Sequence, residues 1–488
     1  MIGQIATSRP PDKTRWRPFA SRDLGLIVGA LLLTSGVFIG SIFLSNSFPW
    51  APYIPLGLVA LGLAGWVVLA AIYASPTAIM LYLGVVVFVT DGGLRIRAPG
   101  DDSLDWQSFL KFFLWLGAGV IGFAHIPPVR QLLARPACAG WLAYLCVALA
   151  SSIYSPTPAF SFASALGVSC IFAFSFSLTR HLSEGQILWT ILVSLTIFNV
   201  GGWIVYYTIP ALGISEAEGI GDLFLGARMA GLAGQATGLG SVCSVAVGAA
   251  FVLWYTGRAK PVTSLILGGF AYVTLMRSDA RTAEIATVAA IALILASRSA
   301  WLTMGVALAG TVAVLVLQIS PGLTHVLEDK FSRSGDPGEI SSLTGRTQIW
   351  EYAWRKIAES PILGYGYDSP RVVIGHYLGF ENSLLVGNAH NLFLQNLLCV
   401  GALGTIPLVM VFGYLVYRMV KKPIPIVYYT IVWILVTSLT YAEPIGTTPT
   451  LITILMFIAS AWPGLEGSHW GLTESPHKRV TAQAFAHK

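Results

Sequence analysis

Residues 344–370 read TGRTQIWEYAWRKIAESPILGYGYDSP, and residues 388–404 read NAHNLFLQNLLCVGALG. The first stretch predicts a helix with Arg346 at its start, stopped by Pro361 and followed by the turn Gly364–Tyr365–Gly366. Ile349, Trp350, Ala353, Trp354 and Ile357 recur at helical spacing and make one apolar stripe. Thr344 is placed to cap this helix, and Glu351 with Arg355 forms a favourable i, i+4 pair. The second stretch puts His390 where a long apolar helix begins. A polar, aromatic-rich excursion of this length is notable because almost everything around it is hydrophobic.

The 488 residues are 55% hydrophobic and only 11% charged, with a mean hydropathy of +0.71. A soluble domain carries about 25% charged residues, so this chain lacks the polar groups to cover a globular surface. The composition predicts an integral membrane protein. A net charge of +6 is small for this length and gives no reason to expect a nucleic-acid partner. The five cysteines form no CxxC pair and fall inside apolar runs, which makes them small core residues rather than a disulfide or metal framework. No cleavable signal peptide is evident, because the polar, basic first 23 residues precede an apolar run long enough to span.

A bilayer crossing takes about 20 apolar residues. On that rule the spans lie near 24–44, 53–73, 76–91, 109–124, 137–153, 159–179, 187–207, 236–256, 262–277, 282–297, 300–317, 391–417, 424–441 and 446–463. Basic residues then fall on alternate loops: the N-terminal tail, Arg130 and Arg135, Arg180, Arg258 and Lys260, Arg298, Arg418 with Lys421 and Lys422, and the C-terminal tail. By the positive-inside rule both termini are cytoplasmic. The division is a tail over 1–23, a bundle of eleven spans over 24–317, a loop domain over 318–390, C-terminal helices over 391–463 and a second tail over 464–488. That topology puts the loops at 91–108, 208–235 and 318–390 on the opposite face, together with the turn MRSDARTAE.

Chemistry is expected on that face. Arg281 heads a span with Glu284 one turn deeper. The plain alternative is a snorkelling arginine or a structural ion pair; the functional one is a guanidinium binding a phosphate or diphosphate bidentately. Arg277 and Asp279 share the turn and are less favoured. Arg228 lies among small residues in GARMAGLAGQATG, where glycines let a polar ligand approach the backbone. Arg346 sits at a helix N-terminus, where the macrodipole disfavours a cation unless an anion binds there. His390 is the candidate general base, with Asn388, Asn391 and Gln395 making its surroundings polar. Glu443 is placed to orient a base or pair with an arginine. His376 and His325 have no comparable surroundings. No HExxH, Walker loop or precise carboxylate pair is present, so the sequence gives no metal site and no cofactor.

Taken together, SDART (278–282), LTGRTQIW (343–350), SPILGYGYDS (360–369) and NAHNLFLQNLLCVGALG resemble the O-antigen ligase and Wzy-type polysaccharide polymerase superfamily, over about Arg228 to Glu443. The resemblance implies a GT-C-type bundle of about 12–14 transmembrane helices with one large periplasmic loop containing helices. It implies a metal-independent, inverting glycosyltransferase of the bacterial inner membrane. The donor would be an undecaprenyl-diphosphate-linked oligosaccharide and the acceptor a glycan or lipid A-core, with other polysaccharide-assembly proteins as partners. Arg228 and Arg281 would hold the donor diphosphate and His390 would activate the acceptor hydroxyl. Arg346, Glu284, Asn388, Asn391, Tyr365 and Tyr367 would line the substrate site, and Glu443 would support the catalytic group. Two departures are visible. GLAGQATGLG (231–240) stands where many relatives have an asparagine-containing segment, and fourteen spans exceed the twelve associated with the ligases. LTGRTQIW and TYAEP are closer to ExoQ-like exopolysaccharide polymerases, which favours polymerase over ligase. A lipid or polysaccharide flippase is the alternative of another class.

Overall fold

The computed structural model describes residues 75–93, 106–215, 228–297, 346–374, 388–421, 424–438 and 445–462, with isolated positions 62, 65 and 305. Side chains are described from 107 in the second segment and from 349 in the fourth. The first two expected spans, that at 300–317, and both tails lie outside the described residues.

Twelve helices of eight or more residues carry the described fold. They are α1 (Pro76–Thr90), α2 (Trp106–Phe123), α3 (Pro136–Ala150), α4 (Pro158–His181), α5 (Glu184–Thr208), α6 (Ala236–Tyr255), α7 (Pro261–Ser278), α8 (Arg281–Ala296), α9 (Arg346–Glu359), α10 (Leu392–Lys421), α11 (Pro425–Thr437) and α12 (Leu451–Ala461). Each expected span within the described residues overlaps one of these helices; that expected at 446–463 is helical over Leu451–Ala461, and α7 and α8, expected as spans, are not among the apolar membrane-crossing candidates. Local sequence explains their starts. Proline occupies the first turn of α1, α3, α4, α7 and α11, where its missing N–H costs nothing. Ser183 with Gln186, and Thr450 with Thr453, close capping boxes on α5 and α12.

Among the described residues, five helices are long and apolar enough to cross a membrane, and four shorter ones are apolar. The protein is an all-α polytopic membrane protein. Strand structure among the described residues is a two-residue pairing, β1 (Ile214–Ser215) against β2 (Arg228–Met229), antiparallel with Ser215 opposite Arg228.

Helices pair as α2 with α4, α6 with α7, α3 with α10, and α8 with α11 around one continuous apolar core. Because lipid is as apolar as leucine, close packing and internal hydrogen bonds hold such a bundle together. Both are visible. Trp141 of α3 donates to Ser460 Oγ of α12 at 2.8 Å, and Tyr429 of α11 donates to the Ser244 carbonyl of α6 at 2.6 Å. Gly122 lets α2 lie directly on the α4 backbone.

The connections after α1, α3, α5 and α7 gather at one end: Gly93 N donates to the Leu232 carbonyl at 2.7 Å, and Arg228 to that of Ser278 at 3.2 Å. Leu451 N donates to Asp91 at 2.9 Å, and Tyr367, whose hydroxyl holds Thr447, donates from its backbone N to Ser151 Oγ at 2.9 Å. At the other end Arg258 forms an ion pair with the buried Glu184. Trp354 departs from the expected apolar stripe of α9. It is 56% exposed, whereas Ile349, Ala353 and Ile357 are buried against α10. A 14-residue helix docked along one face leaves the edge of a wide stripe outside.

A methyl at Gly122 would stand 2.3 Å from the backbone of Ala173 and Phe174, which cannot yield as a side chain does. Gly122→Ala is therefore expected to destabilise by about 1–3 kcal/mol. Gly413→Ala, where no atom lies within 4 Å, should be neutral or stabilising by up to about 1 kcal/mol. Thermal unfolding midpoints in one detergent compare the two; equal shifts would contradict close α2–α4 packing.

Candidate functional site

The polar features of the gathered end form two groups, and the first is a turn. Helix α7 ends at Ser278, Asp279 turns back with φ +47°, and α8 starts at Arg281. Gly240 makes room for this turn, since a Cβ there would meet Ala280 Cβ at 2.2 Å. Arg228, held in β2, donates from Nε to the Ser278 carbonyl at 3.2 Å and from Nη2 to the Asp279 carbonyl at 3.2 Å. A cation is favourable there because the carbonyls at a helix C-terminus carry partial negative charge.

Arg281 donates from Nε to Asp279 Oδ1 at 3.1 Å, with both side chains about a third exposed. Asp279 is thus a hydrogen-bonded partner of Arg281, whereas Glu284, which the sequence offers for an ion pair, lies in the first turn of α8 and attracts Arg281 electrostatically. Arg277 donates from Nη2 to the Tyr206 hydroxyl at 2.7 Å. Among the described residues, the guanidinium groups of Arg228, Arg277 and Arg281 and the carboxylates of Asp279 and Glu284 thus gather at one turn. The Arg281–Asp279 pair is partly exposed, and a guanidinium is the side chain whose fork of N–H donors matches an anion bidentately.

The second group is built on a broken helix. Within α10, Gly401 has φ 56° and ψ −164°, a conformation essentially restricted to glycine. The break would orphan carbonyls before it and N–H groups after it. The turn from Pro361 to Gly366 satisfies both sides. Tyr365 N donates to the Leu398 carbonyl at 2.7 Å and Gly366 N to that of Cys399 at 2.8 Å; in return Ala402 N donates to Pro361 O at 2.8 Å and Leu403 N to Ile362 O at 3.1 Å. Gly364 and Gly401 face one another so closely that a Cβ on either would lie within 2.6 Å of the other segment's backbone. No composition or hydropathy signal announces this joint. The glycines of PILGYG and CVGALG were the only sequence trace of it.

His390 is held just before α10 with φ +45°, which is uncommon for a residue with a side chain. Its N–H donates to Asn388 Oδ1 at 3.0 Å. Asn391 Oδ1 accepts from Phe393 N and Leu394 N at 3.0 and 3.1 Å, capping α10. Gln395 bridges the Ala389 N–H, at 2.9 Å, and the Gly446 carbonyl, also at 2.9 Å. Trp350 of α9 donates to the Ala389 carbonyl at 3.0 Å. The two asparagines thus set the backbone geometry around His390 through their carbonyl oxygens.

Other expected site residues are placed differently. Tyr367 is fully buried and donates to the Thr447 carbonyl at 2.9 Å, so it clamps the chain before α12 rather than facing a cavity. The Tyr365 hydroxyl lies 2.9 Å from Glu359 Oε2 and 3.1 Å from the Lys356 carbonyl, closing the end of α9. Lys356 and Tyr365 in turn hold the Glu359 carboxyl below the usual carboxylate range. The Arg346 backbone begins α9, and its side chain lies outside the described residues, as do Thr344, Glu443, His325 and His376. The described flanks of Glu443 are both tied to the start of α10. The Ser438 carbonyl accepts from Leu392 N at 2.9 Å, and the Ile445 carbonyl accepts from Asn396 Nδ2 at 3.1 Å.

Helix α11 joins the two groups. On one flank its Tyr429 hydroxyl lies 3.5 Å from Thr287 of α8, the helix that Arg281 starts. Its end at Ser438 meets the first residue of α10, two residues after His390. Among the described residues no three His, Cys, Asp or Glu side chains gather as a metal-binding group.

Fold and site together define a polytopic membrane protein with an arginine-lined turn and a strained histidine at one end of its bundle. Residues 263–409 match the family model described as O-antigen ligase, which supports a place for the chain in the O-antigen ligase/Wzy-type superfamily. No curated protein matches the chain significantly. The matched segment holds the Arg281 turn, α9, the inserted turn and His390. The match supports a membrane glycan-processing enzyme.

Gly401→Ala would force a side chain into a glycine-only conformation and 2.2 Å from the Ile362 carbonyl. The expected cost is at least about 1–3 kcal/mol, with release of the 361–366 turn. Limited proteolysis of the folded protein should then cut within that turn; unchanged resistance would show that the joint is not needed.

Proposed function

We propose that this chain is a glycosyltransferase of the GT-C type in the bacterial inner membrane, with both termini cytoplasmic and its site facing the periplasm. It transfers an undecaprenyl-diphosphate-linked glycan to an acceptor sugar hydroxyl and so polymerises O-antigen or exopolysaccharide repeat units. The observation that carries this reading is the convergence of Arg228 and Arg281 on Asp279, at the same end of the bundle as His390.

In this reading the donor diphosphate takes the place of Asp279 on Arg281, with Arg228 adding positive charge across the turn. A ring nitrogen of His390 accepts the proton of the acceptor hydroxyl as its oxygen attacks the anomeric carbon. The bond from that carbon to the diphosphate oxygen breaks, the electron pair leaves with the diphosphate, and the anomeric centre inverts. Fixed guanidinium groups offset the charge that develops on the leaving oxygen, without a metal ion in that role. Arg346 would complete the site from α9, and Glu443 would orient the histidine.

A second reading with the same donor chemistry is a ligase that moves a finished glycan onto lipid A-core; the family match is common to both. A transporter fits less well, because the break at Gly401 is filled by the chain's own carbonyl and N–H groups, whereas transporters leave such half-helix ends to bind substrate or ions.

Purified protein given only the lipid-diphosphate repeat unit should make longer lipid-linked chains; no elongation without a lipid A-core acceptor would make it a ligase. In the same assay Arg281→Ala should lose about 10²–10³-fold in rate and His390→Ala about 10²–10⁴-fold. If His390→Ala keeps full rate while Arg281→Ala abolishes it, the histidine is not the base.

A further inference from the structure

Beside the arginine turn, the last turns of α5 carry an aromatic cluster that nothing above uses. Trp203 and Tyr207 stack with ring centroids 5.8 Å apart and planes 28° from parallel. Tyr206 meets both edge-on, at 5.9 and 5.2 Å. The cluster is fixed from α7. Trp203 Nε1 donates to Thr274 Oγ1 at 3.0 Å, and Arg277 both donates to the Tyr206 hydroxyl and lies 5.6 Å from its ring centroid. Tyr206 is buried, whereas Tyr207 is 62% exposed. One aromatic face is thus held open on a rigid base, and Arg277 belongs to the same turn that Arg228 and Arg281 grip.

Tyrosine and tryptophan near a helix end often serve only as interfacial anchors, with their polar tips in the headgroup layer. Here two of the three polar tips are turned inward to partners on α7, which builds a fixed platform rather than three independent anchors. A pyranose ring offers a face of C–H bonds whose partial positive charge complements the negative face of an aromatic ring. Its hydroxyls suit a neighbouring guanidinium.

We infer that Trp203, Tyr206 and Tyr207, with Arg277, form a glycan subsite that receives the sugars next to the donor diphosphate. The inference rests on the proposed reading of the arginine turn as a diphosphate site. Rings stacked on Tyr207 would fix the direction in which the glycan leaves the diphosphate, and so the face of the anomeric carbon offered to the acceptor.

The test uses the full chain in nanodiscs. The probes are oligosaccharide released by mild acid from the source strain's own surface polysaccharide and, separately, inorganic diphosphate. Saturable oligosaccharide binding is expected by calorimetry. Tyr207→Ala should weaken it by about ten-fold, the scale of an aromatic contact at the centre of an interface. Tyr207→Phe should stay within about two-fold, because the ring is kept. Both variants should retain the parent unfolding midpoint and its affinity for diphosphate. The inference is overturned if the parent shows no saturable oligosaccharide binding, if Tyr207→Ala binds as the parent does, or if both variants lose binding together with stability, as an anchor would. If instead Tyr207→Ala weakens the oligosaccharide while Arg281→Ala leaves diphosphate binding intact, the glycan subsite stands and the diphosphate reading fails.

Discussion

The backbone exchange between the Pro361–Gly366 turn and the break at Gly401 is the interaction on which the rest of this end of the molecule depends. In a membrane protein an interrupted helix is costly, because orphaned N–H and carbonyl groups find no water in the hydrocarbon layer. Here two donors and two acceptors on each segment are matched, so the break and the turn exist only as a pair. Three features follow from that joint. It fixes the end of α9 against α10, it places Tyr367 to hold the Thr447 carbonyl, and with Gln395 and Asn396 of α10 that tyrosine clamps the chain entering α12.

The arginine turn obeys a different constraint. Arg228 comes from a segment fifty residues before the carbonyls it caps, and β2 with the glycine-rich stretch after it brings the side chain to the end of α7. Clustered guanidinium groups repel one another, and Asp279 between them lowers that cost when no anion is bound. The scaffold around this turn, with aromatic rings hydrogen-bonded between helices, keeps these groups in place.

Much of the fold was legible in the sequence because hydropathy and proline report directly on helices in lipid. Helix α9 was equally plain from its periodicity and from Pro361. The candidate site was legible only as residue types. Arg281 at a helix start and His390 before another stood out against apolar surroundings. Their partners did not: Asp279 in its left-handed turn, not Glu284, hydrogen-bonds Arg281, and Tyr367, expected in the substrate site, is buried in the core. Trp354 was misplaced for a related reason, since periodicity defines a stripe but not which of its edges meets a neighbour.

The sequence by itself determined a many-helix membrane protein and the helix and glycine turn between Arg346 and Gly366. These follow from short-range physics, in which apolar length, caps and proline act within a few residues. Only the tertiary structure decided that Arg228 joins the turn of Arg281, that Gly401 opens α10 to receive the glycine turn, and that Trp203, Tyr206 and Tyr207 stand beside the arginines. Each of those is a hydrogen bond or ring contact between segments far apart in the chain, and no local pattern encodes which distant group will satisfy an exposed carbonyl or guanidinium.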